Sequence, residues 1–201
     1  MMKIFVLASG NAHKKEEYER LIQNAKVEVF ESFKAEENGI NYTENARIKL
    51  LALKKLIDEK NIKYPEGTVL FADDSGLEIS SHPEILGLYT SRFCENEQLS
   101  QKEKNQRIIS LMKNESNRKA RFVCHIAFMF INDGIIHDVQ GEIGGEIADS
   151  ISGTDGFGYD PIFIPNGENK TLSALGGEYK QTHSHRYNAV CKMIEAINGM
   201  Y

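Results

Sequence analysis

The sequence is poor in cysteine. Cys94, Cys124 and Cys191 lie far apart, their number is odd, and no two of them form a CxxC pair. That spacing excludes a disulfide framework. Cysteine used in this way is typical of a reducing compartment, so we expect a cytoplasmic protein.

Long apolar runs and an excess of positive charge are also missing. No stretch approaches the ~20 apolar residues of a membrane span, and the apolar run at residues 4–8 is too short for a signal peptide. The net charge of −5 argues against a broad nucleic-acid surface, which requires clustered basic residues.

The patterns that are present alternate between strand and helix. They predict one α/β domain over residues 1–201, built around a central mixed sheet. Strands are expected at 4–8, 27–30 and 68–72, with 77–79 as a continuation of the third beyond the aspartates. A hairpin is expected from 120–131 and 135–147, turning at Asp133-Gly134. Helices are expected at 13–24, 43–60, 98–113 and 183–198, with Thr43 as an N-cap.

Two segments combine polar residues with a predicted strand. The first, Ser-Gly-Asn-Ala-His-Lys at residues 9–14, follows a strand and opens a helix, where backbone N–H groups favour an anion. It lacks P-loop spacing, and alone it favours a capped helix start with a surface lysine.

The second, Asp73-Asp74, stands at the expected end of the strand at 68–72, which favours a Mg²⁺ site over an acidic turn. Glu37 and Lys49, taken alone, are equally well explained as solvated surface residues.

Two other segments have an unusual composition. Residues 153–161 hold three glycines and two aromatic residues, which predicts a loop. There Phe157 favours stacking on a base and Tyr159 favours a core position. The string His-Ser-His-Arg at 183–186 lacks the further ligands of a zinc site, and alone it favours a polar helix start capped by Ser184.

Six motifs in order along the chain resemble those of the inosine triphosphate pyrophosphatase family. They are SGN with K and E at 9–17, ENA with K at 44–49, ADDSGL at 72–77, the G-x-x-T-S-R segment at 87–92, GFGYDPIF at 156–163, and K with SHR at 180–186. This sequence departs from the family pattern in three places: Leu86-Gly87 stands for Pro-Gly, Thr90-Ser91-Arg92 stands for Ser-Ala-Arg, and Gln181-Thr182-His183 follows Lys180 in place of Asn-x-Ile.

The resemblance implies a fold, an activity and a set of residues. The fold class would be α/β, with an elongated mixed β-sheet and two α/β lobes flanking a substrate cleft. Members of the family are usually homodimers. The activity would be Mg²⁺-dependent hydrolysis of non-standard purine nucleoside triphosphates (ITP, dITP, XTP) to the monophosphate and pyrophosphate.

Within that scheme, Asp74 would be the general base for the attacking water and Asp73 would orient it. Glu37 and Asp74 would hold the metal. The implied substrate-binding residues are Ser9, Asn11, Lys14, Lys49, Ser75, Arg92, Phe157, Gly158, Tyr159, Asp160, Lys180, His185 and Arg186.

Two other interpretations stay open at this stage. A Maf-like pyrophosphatase would act on other modified nucleotides, although the base-pocket motifs argue against it. A nucleotide-binding module without catalysis would not need the intact Asp73-Asp74 pair or Lys14.

Overall fold

A computed structural model describes residues 2–30, 33–94 and 98–200, with the backbone alone at 91 and 92. The strands are β1 (Lys3–Leu7), β2 (Ala25–Val29), β3 (Val69–Ile79), β4 (Lys119–Phe130), β5 (His137–Ile147) and β6 (Phe163–Pro165). The helices are α1 (Ala12–Leu21), α2 (Tyr42–Glu59), α3 (Gln101–Leu111), α4 (Leu172–Leu175), α5 (Gly177–Lys180) and α6 (His185–Gly199). Short 3₁₀ turns occur at Gly87–Arg92, Met112–Asn114 and Asp160–Ile162.

The strands form one six-stranded sheet in the order β2-β1-β3-β4-β5-β6. β1 pairs in parallel with β2 and β3, whereas β5 and β6 are antiparallel. The sheet is therefore mixed, which confirms the predicted fold class. Contacts divide the chain into two compact units, and the single-domain assignment of residues 1–201 stays a prediction.

Unit 1 comprises residues 1–74, 124–141 and 189–201. Its strands alternate between two apolar clusters because successive side chains point to opposite faces of a sheet. Phe5 and Phe71 pack in one cluster with residues of α1 and α6. Val6 and Leu70 pack in the other with residues of α2. Strands buried on both faces explain the continuous apolar runs that predicted them.

Unit 2 comprises residues 75–123 and 142–188. Its core joins Leu77 and Ile79 of β3 to Ile108 of α3 and to Phe122 of β4. Tyr159 belongs to the same core, as its residue-level interpretation predicted. The loop at 153–161 is therefore fastened to a packed interior by one of its own aromatic side chains.

Two local predictions are wrong. Helix α2 begins at Tyr42 and is capped by Asn41, whose side chain accepts from the Glu44 backbone, so Thr43 is not the N-cap. The expected end of the third strand at Ala72 is wrong, because β3 runs from Val69 to Ile79 and includes the aspartates, while the expected continuation at 77–79 is confirmed. A strand can continue through two acidic residues when each charge has a partner, and the tertiary structure supplies both partners.

Other local predictions are confirmed. β4 and β5 occupy the predicted hairpin segments and are neighbours in the sheet. Ser184 Oγ accepts a hydrogen bond from the Tyr187 backbone N–H at 3.1 Å, as expected of a cap at the start of α6. Within the described residues, no helix has the length and apolar character needed to cross a membrane.

Candidate functional site

The start of α1 holds three of the predicted phosphate-binding residues in unit 1. Asn11 is the N-cap, and its side chain accepts from the backbone N–H groups of His13 at 2.9 Å and Lys14 at 3.4 Å. Ser9 Oγ accepts from the Asn11 backbone at 3.1 Å. The sequence therefore folds this segment into a fixed turn, with Lys14 in the first turn of the helix.

The two aspartates of β3 each contact a different lysine. Because they are consecutive in a strand, their side chains point to opposite faces of the sheet. Asp73 Oδ1 lies 2.9 Å from Lys14 Nζ, and Asp74 Oδ1 lies 2.9 Å from Lys49 Nζ of α2. The side chains of Asp73 and Asp74 are 0% and 10% exposed, so both ion pairs are largely removed from water.

Lys49 also contacts the loop before α2. Its Nζ lies 3.1 Å from Glu37 Oε1 while it holds Asp74, so two carboxylates converge on one ammonium group. We call Lys14, Glu37, Lys49, Asp73 and Asp74 the carboxylate–lysine cluster. The structure thus brings together five residues that lie up to 60 positions apart in the sequence.

Asn45 is a further residue of this region that was not among the predicted site residues. It is fully buried, its Nδ2 donates to Asp74 Oδ2 at 3.0 Å, and its Oδ1 accepts from the Gly39 backbone at 2.9 Å. A Cβ at Gly39 would lie 2.8 Å from that oxygen, so this close approach requires glycine. The sequence feature that could have identified Asn45 is its place in the ENA motif at 44–46.

Burial and charge act in opposite directions on Asp74 and Lys49. Burial raises the pKa of Asp74, against the charge and hydrogen bond of Lys49, which lower it. For Lys49, burial acts to lower the pKa, but Asp74, Asp73 and Glu37 outweigh it, and the pKa is raised. A carboxylate with a raised pKa is a stronger base than an ordinary aspartate, which suits a group that accepts a proton from water.

The cluster also fits a divalent cation. Among the described residues there is no group of three or more His, Cys, Asp or Glu side chains placed to hold a metal. Mg²⁺, however, is usually held by one or two carboxylates together with phosphate and water oxygens. Glu37 and Asp74 already converge on a single cationic group, which is the donor arrangement that such an ion requires.

In unit 2 the loop after β5 carries a second group of predicted residues. Asp160 Oδ2 accepts from Lys180 Nζ at 2.7 Å and from the Phe157 backbone at 2.9 Å. Lys180 Nζ lies 5.0 Å from the centre of the Phe157 ring, and Arg186 Cζ lies 5.4 Å from it. These are cation–π distances. We call Phe157, Asp160, Lys180 and Arg186 the aromatic–cation cluster.

The start of α6 carries two of the predicted hydrogen-bond donors, His185 and Arg186. Arg186 donates from Nη2 to Ser75 Oγ at 2.8 Å. His185 stacks on Phe122, with ring centres 4.9 Å apart and an angle of 13° between planes. His185, Arg186 and Lys180 are 3%, 4% and 7% exposed, so their polar groups are held in a mostly dehydrated environment.

Three of the predicted substrate-binding residues remain to be placed: Tyr159, Gly158 and Arg92. The Tyr159 hydroxyl donates to the Thr90 carbonyl at 3.1 Å, and burial raises its pKa, so it is a neutral anchor of the loop. Gly158 lies between Phe157 and Tyr159 with φ +63°, a conformation that glycine adopts readily. The side chain of Arg92 lies outside the described part of the structure.

Comparison with known proteins identifies the family. The model of the Ham1 family matches residues 5–196. The dITP/XTP pyrophosphatase of Acholeplasma laidlawii is 37% identical over 196 residues, covering 95% of this chain and 92% of that protein. The dITP/XTP pyrophosphatase of Clostridium tetani is 34% identical, with 98% of each protein covered.

A solved structure extends the similarity to the fold. The Staphylococcus aureus Ham1 protein superposes with a TM-score of 0.79 at 31% identity, covering 99% of this chain and 100% of that chain. These matches confirm the resemblance that the six motifs predicted. Because the family model and the relatives both span nearly the whole sequence, this chain belongs to the Ham1 family.

Proposed function

We propose that this chain is a pyrophosphatase that hydrolyses non-standard purine nucleoside triphosphates, namely ITP, dITP and XTP, to the monophosphate and pyrophosphate. The observation that carries the proposal is the carboxylate–lysine cluster, in which Lys49 Nζ lies within hydrogen-bond distance of both Asp74 and Glu37. The activity named for the relatives at 37% and 34% identity supports the same conclusion.

The reaction is the attack of water on the α-phosphorus. A new P–O bond forms, the bond from the α-phosphorus to the oxygen that bridges to the β-phosphorus breaks, and pyrophosphate departs. Asp74 accepts a proton from the attacking water, and burial, by raising its pKa, makes it a stronger base. Asp73, fixed by Lys14, holds the neighbouring stretch of β3 in place.

Lys14 and Lys49 are proposed to bind the triphosphate together with the N-terminus of α1. Glu37 and Asp74 would hold Mg²⁺, which neutralises the charge that develops on the phosphoryl oxygens and on pyrophosphate. Positive groups that are in place before the reaction stabilise that charge without a reorganisation cost. Both lysines are already fixed by carboxylates, at 2.9 Å in each case.

Base selection is proposed to depend on unit 2. Phe157 would stack on the purine, while Lys180, His185 and Arg186 supply donors in a nearly dehydrated environment. Hypoxanthine and xanthine present an acceptor oxygen at position 6, whereas adenine presents an amino donor there. A buried donor that faces an amino group loses its partner, which a site of this kind penalises strongly.

The test of the proposed function is a substrate panel with pyrophosphate release as the measurement. ITP, dITP, XTP, GTP, ATP, dUTP and 7-methyl-GTP would be compared with and without Mg²⁺. We expect Mg²⁺-dependent release from the first three, at rates well above those for GTP and ATP. Preference for dUTP or 7-methyl-GTP would favour a Maf-like enzyme, and nucleotide binding without release would favour a non-catalytic module.

Replacing Phe157 tests the stacking contact. Phe157→Ala should raise the Michaelis constant for ITP by about tenfold or more, because stacking of one base contributes roughly 1–3 kcal/mol. Turnover at saturation should fall less, since the phosphate contacts remain. The control is Tyr89→Ala, because the Tyr89 side chain is exposed and its removal leaves the unit 2 core intact. Phe93 is unsuitable as a control because it packs against that core. A Michaelis constant equal to that of the parent would refute stacking.

We also propose a homodimer, on the family resemblance, and a cytoplasmic location, on the cysteine usage. Light scattering of the purified chain would test the oligomeric state. A mass corresponding to one chain of 22.7 kDa would contradict the dimer.

A further inference from the structure

Asn105 is a buried polar residue of unit 2 that the proposed mechanism does not use. It lies on α3 (Gln101–Leu111) and is 2% exposed. Its Nδ2 donates to the Gly158 carbonyl at 3.0 Å, and its Oδ1 accepts from Gln101 Nε2 at 3.0 Å. Both ends of the side-chain amide therefore have a partner, and one partner is the backbone of the loop that carries Phe157.

That loop needs external contacts to hold its shape. Gly156 and Gly158 have φ of +81° and +63°, and glycine populates many other conformations at low cost. A Cβ at Gly156 would collide with Asp160 Oδ2, the atom that holds the Phe157 backbone. Neither glycine brings a side chain that could fasten the loop, so its conformation depends on hydrogen bonds from other residues.

Three consecutive residues of the loop are fastened in three different ways. The Phe157 N–H donates to Asp160, the Gly158 carbonyl accepts from Asn105, and the Tyr159 hydroxyl donates to Thr90. The contact from Asn105 comes from α3, which lies 53 residues before Gly158 in the sequence. It acts at the residue directly after Phe157, so it bears on the position of that ring.

We infer that Asn105 is a positioning residue for base recognition. By holding the Gly158 carbonyl, it keeps the Phe157 ring at 5.0 Å from Lys180 and 5.4 Å from Arg186, where ring and cations form one recognition surface. This inference rests on the proposed role of Phe157. It assigns to α3, which carries none of the six motifs, a function in substrate selection.

A buried asparagine that served stability alone would predict a different result from one that positions the base loop. A structural defect would weaken all ligands together with the fold. A positioning defect should weaken ligands that carry a base and spare those that do not. Inorganic tripolyphosphate, which has no base, is therefore the probe that separates the two cases.

The experiment compares Asn105→Leu with the parent and with Gln106→Leu, an exposed neighbour on the same helix. The measurements are the Michaelis constant and turnover for ITP, the inhibition constant of tripolyphosphate, and the unfolding temperature. We expect the Michaelis constant of Asn105→Leu to rise by about tenfold, which corresponds to one lost hydrogen bond. Turnover should change by less than about threefold, and the inhibition constant should stay at the parent value.

A second variant keeps the test decisive if Asn105→Leu does not fold. Gln101→Leu is at an exposed position and removes the donor that orients the Asn105 amide, together with the side-chain hydrogen bond between Gln101 and Tyr159. It should raise the Michaelis constant by about threefold. An unchanged Michaelis constant in a folded variant, or an equal rise in the tripolyphosphate constant, would overturn the inference. A parent protein that does not hydrolyse ITP would instead contradict the proposed function, so the two failures are distinct.

Discussion

Asp74→Asn is expected to abolish pyrophosphate release from ITP, with a loss of about 10³-fold or more. The substitution keeps the shape of the side chain and one oxygen, but it removes the charge and the basicity that accept a proton from water. General-base catalysis alone contributes roughly 10²–10⁴-fold, and the loss of a proposed metal ligand adds to it. The measurement is single-turnover hydrolysis at saturating ITP and Mg²⁺.

The fold should survive this change. Burial raises the pKa of Asp74, so the ionised form is less favourable in the folded chain than in the unfolded chain. Removing that charge at neutral pH relieves this cost, and Lys49 keeps Glu37 as a partner at 3.1 Å, so no buried charge is left uncompensated. We expect the unfolding temperature to shift by less than about 4 °C, the equivalent of ~1 kcal/mol.

The matched control is Asp58→Asn on the surface of α2. Asp58 pairs with Lys54 and its side chain is 59% exposed, so its replacement should leave both turnover and stability near the parent values. If Asp74→Asn hydrolyses ITP at the parental rate while folding normally, Asp74 is not the general base.

Lys49→Met is expected to separate metal binding from turnover. In the parent, Lys49 Nζ lies 3.1 Å from Glu37 and 2.9 Å from Asp74, so it competes with any cation for the same two carboxylates. Without the ammonium group, we expect Mg²⁺ to bind the nucleotide-free chain about tenfold more tightly. Turnover should nevertheless fall by roughly 10²–10³-fold, because a positive group in the proposed phosphate site has been removed.

Stability offers a second measurement on the same variant. Removing one partner of a buried ion pair leaves an uncompensated charge, which typically costs about 3–5 kcal/mol. We therefore expect Lys49→Met to unfold at a lower temperature than the parent and to regain much of the difference on addition of Mg²⁺. Calorimetric titration with Mg²⁺ and thermal unfolding with and without the ion check both expectations.

Lys54→Met is the control for this experiment. Lys54 lies on the same helix and pairs with the exposed Asp58 rather than with the cluster. Its replacement should change neither the Mg²⁺ affinity nor turnover. Weaker Mg²⁺ binding by Lys49→Met in a folded chain would show that Glu37 and Asp74 do not share a cation in the proposed way.

The family and most of the elements were readable in the sequence because they depend on local patterns. Apolar runs with no polar break predicted buried strands, and helical spacing in the segment at 43–60 predicted α2 within a few residues. The six motifs were sufficient to identify the family, since residue type, order and spacing are all properties of the sequence itself.

The partners of the charged residues were not readable there. In the sequence, Asp73-Asp74 appears as a pair of like charges at the end of a strand. In the structure β3 runs on to Ile79, and its alternation sends the two carboxylates to opposite faces, one to Lys14 and the other to Lys49. Nothing in the local sequence specifies which lysine meets which aspartate.

The sequence by itself determined that this is an α/β protein of the Ham1 family, with acidic, basic and glycine–aromatic motifs in a fixed order. Only the tertiary structure decided that Asn45 holds Asp74 and that Asn105 holds the loop carrying Phe157. The physical reason is that propensity and periodicity depend on neighbours along the chain, whereas a side-chain hydrogen bond depends on which segments packing brings together. Asparagine is ordinary in a helix sequence, and burial beside one specific acceptor is what gives it a role.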